Sequence, residues 1–165
     1  MNIASRGATM AVDWEQRIDF ARLRTERLER ARASLRESDL GAILLFDQNN
    51  IRYVTSTHIG EWARDKSARC VLLPREGDPV LWDFGSAARH HRLYAPWLPD
   101  SSWQAGVTSM RGAMPEETGV PDALAARIHR ELAERGLERE PLGLDLTDME
   151  TLYSLHRQGI ETANA

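Results

Sequence analysis

Asn49-Asn50-Ile51-Arg52-Tyr53-Val54-Thr55-Ser56 follows an apolar run, residues 40–46, with the polar cluster Asp47-Gln48-Asn49-Asn50 between the two. The run has the length and composition of a strand covered on both faces. The polar cluster reads as a turn, and residues 51–55, rich in β-branched and aromatic side chains, read as a second strand. Further along, residues 69–73 form a third apolar segment and residues 80–84 a fourth. Pro74-Arg75-Glu76-Gly77-Asp78-Pro79 separates them as a turn, so the third and fourth segments are expected to pair as a hairpin. Residues 103–108 read as a weaker strand and residues 142–146 as a short one.

Helical periods lie between and around these segments. Within residues 20–37, Leu23, Leu28, Ala31 and Leu35 make one apolar stripe among arginines, the pattern of an amphipathic helix. Arg24, Glu26, Arg27, Glu29 and Arg30 vary in sign and are expected to form a solvated face supported by near-neighbour pairs. Ser86 is a candidate cap for a short helix through Tyr94. Leu124, Ile128 and Leu132 mark a helix over 121–135 that opens on Pro121 and closes at Gly136. Thr147-Asp148-Met149-Glu150 matches a capping box for a last helix ending near Gln158. Strands mixed with helices predict an α/β domain, one mixed sheet of about six strands flanked by helices. Its core should contain Ile43, Leu44, Val71, Leu72, Leu81, Ile128, Leu132 and Leu152.

Composition sets the outer bounds. A chain of 165 residues with 42% hydrophobic and 28% charged residues suits one globular domain. A net charge of −4 with both signs interleaved weighs against a nucleic-acid surface. No apolar run approaches the roughly 20 residues of a membrane helix. Cys70 stands alone, which excludes an internal disulfide, and the first residues lack the apolar segment of a secretory signal. Both features lead to the expectation of a cytoplasmic protein.

Several residues invite a chemical reading. Asp47, Asp83 and Asp145 lie at or near carboxyl ends of predicted strands, where clustered carboxylates could hold two divalent ions for nuclease-like chemistry. Aspartate is also common after strands because it accepts backbone hydrogens in turns, and this reading is the stronger one. His90-His91 is poorly spaced for a metal pair, since two ligands on one helix usually sit four positions apart; a surface pair is expected. His129 and His156 fall in amphipathic helices as solvent-facing or boundary residues. Cys70 sits in an apolar strand as a small hydrophobe. The connection Thr57-His58-Ile59-Gly60-Glu61-Trp62-Ala63-Arg64-Asp65-Lys66 differs in kind, with aromatic and charged groups between two predicted strands. Loops on a rigid sheet often carry recognition residues, and Trp and Arg are enriched at interface hot spots. On the residues alone, a recognition loop and an ordinary connection with Trp62 folded onto the core stand about level.

A resemblance shifts that balance. A helix, an apolar strand, Asn50-Ile51-Arg52-Tyr53-Val54-Thr55-Ser56, a variable loop, Arg69-Cys70-Val71-Leu72-Leu73-Pro74 and Pro79-Val80-Leu81-Trp82-Asp83 follow in this order. The set, over roughly residues 20–160, resembles amino-terminal domains of the creatinase, prolidase and aminopeptidase P family. The nearest branch is that of Xaa-Pro peptidase-like proteins and dimethylsulfoniopropionate lyases of this fold. The Asn-x-x-Tyr-x-x-Ser core is short; the ordered elements make it specific, and Ser56 stands where a glycine is commoner. Residues 1–19, polar and without a clear period, read as a flexible leader; the resemblance implies a ribonuclease H-like domain over 20–160, before a linker starting at 161–165 that leads to a catalytic "pita-bread" domain. It also implies a homodimer, with the loop after the motif helping to close the partner's active site, so that His58, Trp62 and Arg64 become candidate gating residues. Two divalent metal ions and the ligands that hold them, two aspartates, a histidine and two glutamates, are expected in the catalytic domain; none transfers to this chain. A small-molecule or peptide substrate would be met through the parent enzyme. No catalytic residue, cofactor, nucleic acid or membrane is expected of this segment. The alternatives are a free-standing binding module of the same fold and, less favoured, a small metal-dependent nuclease-like enzyme.

Overall fold

A computed structural model of the chain describes residues 18–59, 69–106 and 119–165. Its centre is a mixed sheet of six strands in the order β4-β3-β2-β1-β5-β6. The strands are β1 (Ala42–Leu45), β2 (Cys70–Pro74), β3 (Val80–Asp83), β4 (Trp103–Ala105), β5 (Leu142–Leu144) and β6 (Thr162–Asn164). The helices are α1 (Phe20–Arg36), α2 (Gln48–Thr55), α3 (Gly85–Tyr94), α4 (Val120–Glu134) and α5 (Met149–Arg157). β1, β2 and β3 pair antiparallel in sequence, as the turn at residues 74–79 predicts. On its other edge β1 runs parallel to β5, and β5 to β6, while β4 lies parallel to β3.

The sheet is apolar on both faces, so its strands read as continuous runs rather than as alternations. On one face Leu44, Phe46, Leu72, Trp82, Leu142 and Leu144 meet Leu124, Ala125, Ile128 and Leu132 of α4 and Leu155 of α5. On the other, Leu45, Val71, Leu73, Leu81 and Trp103 meet Leu35 of α1 and Ile51 and Val54 of α2. Leu44, Val71, Leu72, Leu81, Ile128 and Leu132 are buried as the sequence predicts, whereas Ile43 and Leu152 are only partly so.

The opening stretch is where structure departs most from the sequence reading. Residues 48–55 form a helix, not a turn followed by a strand. Asp47 caps it, its carboxylate accepting from the backbone N–H groups of Asn49 and Asn50. Ile51, Val54 and Thr55 then fall on one buried face at helical spacing. Burial of that face outweighs the modest helix propensity of β-branched residues. Ser56 ends the helix in the left-handed region, φ 56°, the conformation glycine adopts at least cost.

Smaller differences follow the same logic. α5 is capped by Asp148, which accepts from Thr151 N–H, one residue later than the expected Thr147 box. α3 begins without a side-chain cap, Phe84 rather than Ser86 preceding it. Residues 162–164, expected at the start of a linker, form the sixth strand beside β5. The leader to residue 17 and the whole of residues 107–118, including the end of the strand expected over 103–108, lie outside the described residues. On α1, Arg32 donates to the Gly77 carbonyl, and Arg36 pairs with Glu76 at 3.3 Å. Arg32 and Arg36, one turn beyond the residues expected to form a solvated face, thus grip the β2–β3 turn, where Gly77 has φ 91°.

Truncating the buried Leu44 or Ile128 to alanine should cost about 2–5 kcal/mol in urea unfolding. Ile43→Ala, at a partly buried position, should cost less than either. Equal losses at all three positions would contradict the two-faced core.

Candidate functional site

Hairpin register builds the most unusual part of the molecule. Cys70 lies opposite Trp82 and Val71 opposite Leu81, so one step outward sets Arg69 against Asp83 on the α1–α2 face. Both are almost inaccessible, at 3% and 0% exposure. Arg69 Nε lies 3.3 Å from Asp83 Oδ2. The contact is an ion pair off the line of a hydrogen bond, since that nitrogen has no hydrogen-bond partner. Asp83 also draws in α3. Its Oδ2 lies 3.2 Å from His91 Nε2, and its Oδ1 accepts the Phe84 N–H at 2.9 Å. Facing an acceptor-only carboxylate, His91 carries its proton on Nε2. Its ring lies against Trp103, with centroids 5.6 Å apart.

The other end of the arginine reaches the chain leaving α2. Arg69 Nη2 donates to Thr57 Oγ1 at 2.7 Å, Thr57 and Thr55 share a 2.7 Å hydroxyl contact, and Thr55 Oγ1 donates to the Ile51 carbonyl at 2.7 Å. Arginine only donates and a carbonyl only accepts, which fixes the direction of the chain. The Thr57 hydroxyl donates to Thr55, and the Thr55 hydroxyl to Ile51. Trp97 Nε1 closes the group by donating to the Thr55 carbonyl at 2.7 Å.

Burial and charge oppose each other here. Burial pulls the Arg69 guanidinium below its ordinary pKa, while the Asp83 carboxylate works to hold it up. Burial, with the Asp83 charge adding to it, pushes the neighbouring Cys70 thiol well above the usual range. The network offers no open nucleophile or proton carrier. Its polar groups face one another, and what it does is hold the two stems of the 58–68 connection together.

The three strand-end aspartates are engaged separately. Asp145 accepts from Phe46 N–H, Asp47 N–H and the Asn50 amide at 2.8, 3.0 and 3.0 Å. Asp47 caps α2, and Asp83 serves Arg69 and His91. Carboxylates already filled by N–H donors do not fit a pair of divalent ions, and among the described residues no three His, Cys, Asp or Glu side chains group as ligands would. His91 corrects the expectation of a surface histidine pair: it is buried against Asp83, while exposed His90 stacks on Tyr94. His129 is half-buried and His156 exposed. Of the candidate gating residues, His58 is exposed beside Thr57. Trp62 and Arg64 lie outside the described residues.

Sequence reasoning missed Arg69, Thr57 and the Asp83–His91 contact. The signal was present in the hairpin. A charged residue heads the apolar run at 69–73, and an opposite charge sits near the end of the run at 80–84. A turn that fixes register makes them cross-strand neighbours.

Asp83→Asn should destabilise the fold by about 3–5 kcal/mol, because it leaves a buried guanidinium uncompensated. The double variant Arg69→Met/Asp83→Leu should recover most of the loss in the same unfolding measurement. The Cys70 thiol, buried and held protonated, should resist a disulfide-exchange reagent in the folded chain and react on denaturation.

Comparison with known proteins places this geometry. The model of the Creatinase/Prolidase N-terminal domain matches residues 27–156. The dimethylsulfoniopropionate lyase DddP of Roseovarius nubinhibens is 28% identical over 144 residues, which are 87% of this chain and 32% of that protein. The chain thus spans about a third of the length of that curated relative. An Xaa-Pro dipeptidase from Bacillus anthracis has a similar fold, with a TM-score of 0.55 at 14% identity over 86% of this chain and 33% of that one. A proline dipeptidase structure from Streptococcus agalactiae gives 0.56 at 12% identity, over 86% of this chain and 93% of that one. By its matched residues and its six-stranded mixed sheet, the chain belongs to the creatinase/prolidase amino-terminal domain family.

Proposed function

We propose that this chain is the noncatalytic amino-terminal domain of a creatinase-like metallohydrolase or lyase, and that it contributes to dimerisation and to closing a neighbouring subunit's active site. The observation that carries this reading is the Arg69–Thr57 hydrogen bond of 2.7 Å, backed by the buried Asp83. It fixes both ends of the connection that bears His58, Trp62 and Arg64. A loop presented to another subunit works best from fixed stems, because ordering them beforehand lowers the entropy cost of engagement. The substrate, a small molecule or peptide, and the two divalent ions belong to the catalytic domain of the parent. Arg64 would pair with a substrate carboxylate through its two-pronged guanidinium, and Trp62 would exclude water; His58 plays a lesser part. These roles concern binding and orientation rather than bond-making.

In the dimeric parent enzyme, Arg64→Ala should raise KM about tenfold or more, the loss expected for a hydrogen bond between charged groups, and should also weaken turnover. Metal content should stay unchanged. Trp62→Ala should act in the same direction. Steady-state kinetics with wild-type constants for both variants would reduce the segment to an ordinary connection.

A further inference from the structure

A cleft of about 170 Å³ lies between the first turns of α1 and the end of α2, with Trp97 and Leu98 on its third side. Leu28, Val54 and Leu98 give it apolar walls, and Arg24 and Ser56 supply polar groups. The Arg24 guanidinium carbon lies 3.8 Å from the centroid of the Trp97 ring and 5.8 Å from that of Phe20. Aromatic rings therefore take up the faces of the cation, while its N–H donors remain on the edge.

Among the described residues those donors have no acceptor. Arg24 Nε is sealed from solvent without a hydrogen-bond partner, and the Arg24 side chain makes no ion pair or hydrogen bond among the described residues. Three other arginines of the same helix have carboxylate partners: Arg22 pairs with Glu26, Arg32 with Glu29 and Arg36 with Glu76. Holding a guanidinium nitrogen away from water without an acceptor costs free energy. A planar cation already stacked and oriented is suited to a carboxylate, which takes two parallel N–H bonds from its edge.

We propose that this cleft is a binding site for a small organic carboxylate with an apolar or aromatic body. The carboxylate lies along the terminal Nη1–Nη2 edge of Arg24, and the body lies between Leu28, Val54 and Leu98. Closed apolar cavities of about 150 Å³ accept benzene, so the space suits a body of that size. Inorganic anions gain nothing from the apolar walls and would lose hydration on entry. None of the described lining residues is a proposed gating residue, and the site needs neither a partner subunit nor a metal. A ligand here touches the Trp97 ring, whose N–H is bonded to the Thr55 carbonyl at 2.7 Å. The indole N–H is therefore a reporter inside the site.

The test is an NMR titration of the ¹⁵N-labelled full chain, following the assigned Trp97 indole resonance with phenylacetate, its neutral counterpart phenylacetamide, and sulfate. Phenylacetate should give a saturable shift. Phenylacetamide should bind at least about tenfold more weakly, as should phenylacetate to Arg24→Gln, the loss of one charged hydrogen-bonded contact. Arg24→Lys keeps the charge but loses the fork, and should fall between wild type and Arg24→Gln; it also serves if the glutamine variant fails to fold. No saturable shift, equal binding of acid and amide, or unchanged binding in the arginine variants would overturn the proposal. Sulfate binding as tight as phenylacetate would overturn the assignment of an organic carboxylate. None of these outcomes bears on the gating loop, so the two readings stand or fall separately.

Discussion

Asp83 has no exposed surface, and three segments of the chain depend on it. It compensates the guanidinium of Arg69 at the start of β2, receives His91 from α3, and caps its own strand through the Phe84 N–H. Its carbonyl also accepts from the Gly106 N–H just beyond β4. A charge pair removed from water contributes little net stability compared with apolar replacements, but losing one partner is costly. The pair therefore acts less as a source of stability than as a constraint on arrangement. Any packing of β2, β3 and α3 that separated Arg69 from Asp83 would strand an ion in the core.

That constraint gives the domain two kinds of surface. Most of the sheet is covered by aliphatic contacts that hold it without directing anything outward. Along the Arg69–Thr57–Thr55 line, directional bonds replace them and fix where the chain leaves and re-enters the sheet. The likeness to peptidases and to a lyase fits this division. One scaffold can carry different connections, and a shared fold does not by itself fix a shared chemistry.

Much of the fold was legible in the chain itself because burial writes a plain pattern. The runs that became β1, β2 and β3, and the Leu124–Ile128–Leu132 stripe of α4, needed only length and period. Residues 48–55 were misread because their composition favours a strand while their cap and burial periodicity favour a helix. β6 was missed since Thr162, Ala163 and Asn164 carry no strong strand signal; pairing with β5 alone makes them a strand. The total of about six strands came out right because these two errors cancel. The polar network was harder, as it joins residues 57, 69, 83 and 91 through tertiary proximity. Arg69 and Asp83 could be paired through hairpin register, but nothing local points Thr57 or His91 toward them.

The position of β1 has a consequence for how the chain is made. β1 lies second from neither edge but between β2 and β5, and its parallel partner arrives about a hundred residues later, where Ala42 meets Leu142. Asp145, bonded to the Phe46 and Asp47 N–H groups, closes the same long span. While the chain leaves the ribosome, β1, β2 and β3 are complete long before β5 exists. During that interval the nascent meander bears an open apolar edge at residues 42–45, and the helix that follows lacks the carboxylate that braces its first turn. Late closure of so long a loop slows folding, and an unpaired strand edge in the meantime invites association with other chains. Residues 142–164 thus supply β5 and β6, the strands that cover this edge of β1.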